Sequence, residues 1–205
     1  RAAELAPCVW LAGHSEGGLV ALMAATKPPE PLCGLILLST AGRPVGQLLV
    51  EQMAANPWMA PHLAELKAIV ADLEAGRPRD PATIPPPLAA MFTPGLQRFM
   101  IDLFAHDPLA LARQWPGPVL ILQGDADIQV KPQDATLLAR AMPQAERRIL
   151  QGPTSRARPL PPTPTPNCHY TRGWSRRFST FWNAIRRTND GSAPGGGPTG
   201  RPSRT

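Results

Sequence analysis

The sequence predicts an α/β fold: a mostly parallel sheet, a helical insertion within it, and a C-terminal tail that does not pack. Three observations predict it. Apolar runs at 8–12, 33–42 and 118–124 lack the alternation of a half-solvated strand, so each suits a strand covered on both faces, as in a parallel sheet. Helical patterns alternate with these runs. The first run passes through Gly13-His14-Ser15-Glu16-Gly17-Gly18 directly into an apolar helix, the signature of a strand, a sharp turn and a helix.

In that turn one hydroxyl stands among small residues. A Cβ at Gly13 or Gly17 is expected to collide where strand and helix pass closely, and glycine tolerates the strained dihedrals of such a turn. The helix behind it carries Leu19, Val20, Leu22 and Met23, apolar on most sides, and ends near Lys27 before Pro28-Pro29. Its first N–H groups and positive dipole end point at Ser15, which suits a place where oxyanion charge develops.

The second strand, 33–42, is followed by a connection roughly 50 residues longer than two βαβ units of about 30 residues each require. The surplus reads as helical. Residues 45–55 form one helix, and 61–75 form another with Leu63, Leu66, Val70 and Leu73 on one stripe and Gly76 placed to end it. A Pro-rich link, 77–87, leads to a helix from about Pro94 carrying Leu96, Phe99, Met100, Leu103 and Phe104, and Asp107-Pro108 opens a further short helix. The third strand, 118–124, is followed by Asp125-Ala126-Asp127 and by a helix that Pro132 starts, with Ala135, Leu138, Ala139 and Met142 at helical spacing; 146–150 is a weaker fourth strand. An apolar helical insertion on the C-terminal side of a sheet is where a lid over a pocket for an acyl or other apolar group would sit.

Composition divides the chain in the same place. Of 205 residues with formal net charge +6, residues 1–150 hold 12 Lys+Arg and 14 Asp+Glu, whereas 151–205 hold 9 Arg and only Asp190. Residues 1–150 are therefore read as one partial domain with its insertion at about 44–112, and 151–205 as a Pro/Arg-rich tail expected to be disordered. Residues 151–166 carry neither a helical nor a strand period, whereas Trp174, Phe178, Phe181, Trp182 and Ile185 could form one amphipathic helix with Arg176, Arg177, Arg186 and Arg187 around it, the composition of nucleic-acid or membrane-surface segments. Neither partner is expected, and an alternative account of the residue mix is a reading frame that slips just past Leu150. The sequence opens at Arg1 and enters a strand expected in mid-sheet within about eight residues, which reads as a truncated start. No run of the ~20 apolar residues that span a bilayer occurs. Cys8 and Cys33 are expected as small buried thiols and nothing indicates a disulfide framework or a metal cluster, so the expected compartment is reducing and cytoplasmic.

The elbow, the capped insertion and Gly124-Asp125-Ala126-Asp127 in this order resemble the α/β-hydrolase superfamily, over about residues 5–150. The likeness is to its capped esterase, lysophospholipase and serine-aminopeptidase-like branch, so the implied fold is a partial α/β-hydrolase fold. The resemblance implies Ser15 as nucleophile, the backbone N–H of Glu16 as one arm of the oxyanion hole, and Asp127 as the acid that orients a catalytic histidine. It implies a small-molecule acyl substrate, and neither metal nor organic cofactor. Asp125 is the rival acid, since an aspartate at a strand end also bonds its own turn. His14 is read as a packing residue whose side chain leaves the elbow on the side opposite Ser15. The family's order is Ser, Asp, then His soon after the last strand, yet no histidine occurs between Asp127 and Cys168. His169 follows the Pro-rich run, and His62 and His106 fall in the insertion. Two readings result: a serine hydrolase of carboxylic esters or related acyl compounds, and an inactive truncated or frame-shifted relative.

Overall fold

The computed structural model describes residues 7–28 and 31–152. Four strands, β1 (Val9–His14), β2 (Leu32–Leu38), β3 (Val119–Gly124) and β4 (Ala145–Leu150), form one sheet in the order β1-β2-β3-β4. All three pairings are parallel, with Gly13 beside Leu37, Leu38 beside Leu122, and Gly124 beside Leu150. The strand C-termini therefore line one edge.

The unalternated runs are the central strands. Leu35, Ile36 and Leu37 in β2 and Val119 to Leu122 in β3 are all buried, whereas β1 and β4 are partly exposed along their length. β1, expected in mid-sheet, is an edge strand among the described residues. One sheet face, carrying Leu35, Leu37, Val119 and Ile121, packs on helices α1 (Glu16–Thr26), α6 (Pro108–Gln114) and α7 (Pro132–Ala141) through Leu22, Ala112 and Leu138.

Between β2 and β3 the insertion builds a core of its own. Helices α2 (Val45–Ala54), α3 (Leu63–Glu74), α4 (Pro86–Ala89) and α5 (Pro94–Phe104) are joined by 3-10 turns at Pro57–His62 and Pro81–Thr83. The stripe on α3, Leu66, Ile69, Val70 and Leu73, is fully buried against Ile84, Leu88 and Phe92. As expected, Gly76 ends α3: at φ 73° it takes the left-handed conformation that closes a helix, with its N–H on Leu73 O at 2.9 Å. The expected 61–75 helix starts later, because Pro57 and Pro61 hold the preceding turn as a 3-10 helix. The link at 77–87 is tied down by Arg79, which pairs with Asp72 (2.6 Å) and Glu65 (2.9 Å). Thr93 caps α5 and Asp107 caps α6, each accepting a backbone N–H two or three residues on, with proline at the first helical position.

Two expectations are corrected here. Cys8 and Cys33 are not free thiols: they form a disulfide across β1 and β2 with Cα atoms 5.2 Å apart, beside the register shift between Val9 and Trp10. The shift leaves Cys33 without a strand partner next to Cys8 at the start of β1, so pairing of the two strands brings the side chains within bonding reach, which the separate reading of each run could not show. The argument for a reducing compartment that rested on unpaired thiols loses its support. His14, expected to pack, is exposed at the end of the edge strand. Among the described residues no helix is long and apolar enough to cross a membrane. His169, Cys168 and the 151–205 tail beyond Gly152 lie outside the described residues.

Candidate functional site

Ser15 sits where β1 hands over to α1, at φ 55° and ψ −120°, a sparsely populated conformation for a residue with a Cβ. The neighbours fix it there. Its N–H donates to Leu38 O at 2.8 Å, at the end of β2, and its own carbonyl accepts the Gly18 N–H at 3.0 Å. A Cβ on Gly13 would run into the Gly17 carbonyl, so strand and helix come this close only with glycine at 13. The matching expectation for Gly17 is corrected: a Cβ there meets nothing, and Gly18 is the second tight position, against the side chain of Thr40. Glu16 opens α1, so its N–H belongs to the first-turn donors that a helix leaves without an internal partner.

Asp127 lies at the same sheet edge, in the loop after β3, and is 4% exposed. Its Oδ1 accepts the N–H groups of Gln129 (3.0 Å) and Val130 (3.1 Å), and its Oδ2 accepts the hydroxyl of Ser39 (2.8 Å). The loop is closed from below by buried Gln123, whose amide donates to Val130 O at 2.8 Å. Asp125, the rival acid, is exposed and accepts the Gly152 N–H at 2.7 Å, while its own N–H donates to Leu150 O at 2.9 Å. It ties the end of β4 to the end of β3, so the chain leaving β4 departs beside the Asp127 loop.

Ser39 connects the two halves of the edge. It directly follows Leu38, which holds Ser15; its N–H donates to Leu122 O at 2.9 Å and its hydroxyl holds Asp127. At φ 44° it is itself in the left-handed region. Sequence reading placed it inside an apolar strand run and gave it no role.

A second unread feature braces this edge from the insertion. Arg43 forms a two-pronged pair with fully buried Asp134 in the first turn of α7, Nε to Oδ1 at 3.1 Å and Nη2 to Oδ2 at 3.0 Å, while Nη1 reaches Glu51 on α2 at 2.6 Å. The Gly42 N–H also donates to Asp134 Oδ1 at 3.0 Å, and Lys131 reaches Glu51 at 3.3 Å. The bond to Asp134 holds the Arg43 guanidinium well above its ordinary range, more than its burial lowers it. Arg43 in turn keeps the Glu51 carboxyl below the ordinary range. Gln52, next on α2, donates to Gln129 O at 3.2 Å, inside the Asp127 loop. The sequence carried a signal for one member only: Asp134 lies four residues before Leu138, on the helix stripe that faces the core, while nothing local names Arg43 as its partner.

Between the edge and the insertion lies a cavity of about 190 Å³, lined by Ser15 and Glu16 from the elbow, Val130 from the Asp127 loop, and apolar side chains of α2 and α5. Thus Ser15 and the Asp127 loop open on one space. His62 and His106 are half-buried in the insertion, and neither lines this cavity. Among the described residues no three His, Cys, Asp or Glu side chains are arranged to hold a metal ion.

The family model for serine aminopeptidase, S33, matches residues 2–153. No curated protein matches the sequence. Among solved structures, the chain is similar to Rv0554 from Mycobacterium tuberculosis (18% identity, 94% of this chain and 69% of that one, TM-score 0.48). It is similar to the enol-lactonase from Burkholderia xenovorans LB400 (16%, 87% and 64%, 0.42) and to Est1E from Butyrivibrio proteoclasticus (20%, 71% and 52%, 0.45). The chain thus spans less than two thirds of the length of the latter two.

Proposed function

The chain belongs to the serine aminopeptidase S33 family, and from that premise we propose that it is a serine hydrolase of carboxylic esters or related acyl compounds, with Ser15 as nucleophile. One observation carries the reading: Ser15 and the loop of buried Asp127 meet at the same sheet edge, joined through Leu38-Ser39, and face one apolar cavity. Nucleophile and orienting carboxylate need this relation if an imidazole is to work between them.

In the proposed reaction Ser15 Oγ bonds to the acyl carbon, the bond from that carbon to the leaving oxygen breaks, and the Oγ proton ends on the departing alcohol. Water then cleaves the acyl–Oγ bond, releasing the acid and restoring the hydroxyl. Oxyanion charge faces the N–H of Glu16 at the positive end of α1. Asp127, presented as an acceptor, orients the base, a role for which no histidine among the described residues lines the cavity; His169, the one histidine after Asp127, lies outside the described residues.

The test is labelling by a fluorophosphonate probe, together with turnover of p-nitrophenyl esters. Labelling and turnover that vanish in Ser15→Ala, with turnover depressed in Asp127→Asn, support the reading. A second reading, an inactive relative, is favoured by the lack of any histidine between Asp127 and Cys168; neither labelling nor turnover by a folded wild-type chain selects it. The cytoplasmic address has its own test. Thiol trapping in intact cells that finds both cysteines free supports that address, and a Cys8–Cys33 bond found oxidised there favours an oxidising compartment instead.

A further inference from the structure

The cavity at Ser15 has a size, a lining and fixed walls, and together these select among acyl groups. Its volume, about 190 Å³, is below the roughly 300 Å³ at which sites for drug-sized ligands begin, and a little above the ~150 Å³ that accommodates a benzene ring. Polar lining is confined to Ser15, Glu16 and Gln52, and the Gln52 amide already donates to Gln129 O. The one carboxylate, on Glu16, is exposed, so the interior offers a charged acyl group no partner.

The walls are held in place. Leu48 of α2 packs with Ala41 and Val130 in a small buried cluster, joining insertion, sheet edge and Asp127 loop as one surface. Leu103 of α5 is buried opposite the solvent, whereas Phe99, one helical turn earlier, is 46% exposed. Helix α5 is pinned through Gln97, 1% exposed, whose side chain bonds the Arg79 N–H (2.7 Å), Arg79 O (3.1 Å) and Phe92 O (2.8 Å). The buried wall is therefore Leu48 and Leu103 from the insertion against Leu19, Ala41 and Val130, and the rim is Phe99.

We propose that this cavity is an acyl subsite for one short, uncharged apolar group, hexanoyl or benzoyl in size, with Leu48 and Leu103 as the specificity-determining residues that shut out long fatty chains. This deepens the hydrolase reading and rests on Ser15 as nucleophile.

The experiment is a series of p-nitrophenyl esters, acetate, butyrate, hexanoate, benzoate, decanoate and palmitate, with alanine p-nitroanilide as the charged comparison. Relative kcat/KM should rise about fourfold per added methylene while chain still enters the cavity, then fall at least about tenfold by decanoate. Leu103→Val should move the optimum to longer chains, and Leu96→Ala, exposed on the same helix and outside the lining, should leave its position unchanged. Ser15-dependent turnover that keeps rising to palmitate, or that favours the alanyl substrate, overturns the subsite and leaves the hydrolase reading intact. If no ester is turned over, the hydrolase reading fails, and the subsite is then judged by binding alone. Benzamide and hexanamide should raise the melting temperature of the wild-type chain, with decanamide and the cavity-filling Leu103→Trp variant giving no rise. Equal shifts for all three amides, or none, overturn it.

Discussion

The sheet edge and the helical insertion reach the same site by different means. At the edge the positions are set by main-chain bonds between strand ends: Ser15 to Leu38, Ser39 to Leu122, Asp125 to Leu150. Every residue but proline carries those groups, so side-chain changes threaten the edge where a Cβ cannot fit and where the Ser39 hydroxyl holds Asp127. The insertion has its own apolar core and meets the site through Leu48, packed on Ala41 and Val130, and through Glu51 and Gln52, which take Arg43, Lys131 and the Gln129 carbonyl. Its placement therefore rests on one small apolar contact and on polar side chains, several of whose partners come from distant parts of the chain.

That contrast breaks most visibly at Arg43. Arg43→Ala leaves Asp134 charged and buried with only the Gly42 N–H of its present partners, and breaking a buried pair in this way costs about 3–5 kcal/mol. Denaturant unfolding should show this loss, with most of it recovered in Arg43→Met combined with Asp134→Leu, which removes both charges. A loss below about 1 kcal/mol for the single variant would show that the insertion is not held by this pair.

At the edge, the sharpest comparison is between two glycines of one motif. Gly13→Ala forces a Cβ into the Gly17 carbonyl and should cost about 3 kcal/mol, since backbone leaves no flexible side chain to move aside. Gly17→Ala meets nothing and removes a glycine from a helix, so it should be neutral or stabilising by up to about 1 kcal/mol. Equal losses in the two variants, measured by thermal melts, would mean that strand and helix do not pass as closely as the structure has them.

Ser39 separates backbone from side chain within the edge itself. Ser39→Ala loses the bond to Asp127 and keeps the left-handed backbone, so about 1.5–3 kcal/mol should go. Ser39→Gly loses the same bond and relieves the backbone, and should be the less costly of the two. The reverse order would place the strain elsewhere.

These differences mark what the sequence could reveal. Unalternated runs identify the central strands because burial on both faces leaves no polar period, and Gly76, Thr93 and Asp107 mark helix ends because cap chemistry is local. Ser15 could be singled out because it stands at a strand end in a short pattern, and Asp127 through the family resemblance, with Asp125 beside it as a rival. Their link through Ser39 could not, because it depends on register: which residue of β2 lies beside β1 and β3 is settled by pairing, not by neighbours along the chain. The same holds for the Cys8–Cys33 bond and for the Arg43–Asp134 pair, whose members lie 91 positions apart. The elbow glycines show the limit at close range, since the motif names Gly17 while packing against Thr40 falls on Gly18.

The smallest effect tests the insertion's outer charges by pH. Arg43, and after it Lys131, holds the folded-state pKa of Glu51 below its unfolded value of about 4.3. A group lowered in this way stabilises the fold fully above its unfolded value, and the contribution fades as pH falls through the lowered folded value. Glu51 is about a third exposed, 35% at the side chain, so solvent screening limits the gain to no more than about 1 kcal/mol. Glu51→Gln should thus melt below wild type at pH 7 by a degree or a few, roughly 2–4 °C at most. The gap should close on acidification below about pH 4, and added salt should shrink it at neutral pH. A gap that persists unchanged into acid would mean that Glu51 acts there by shape or by neutral hydrogen bonding. The ion-pair brace at Arg43 would then reduce to its buried arm with Asp134.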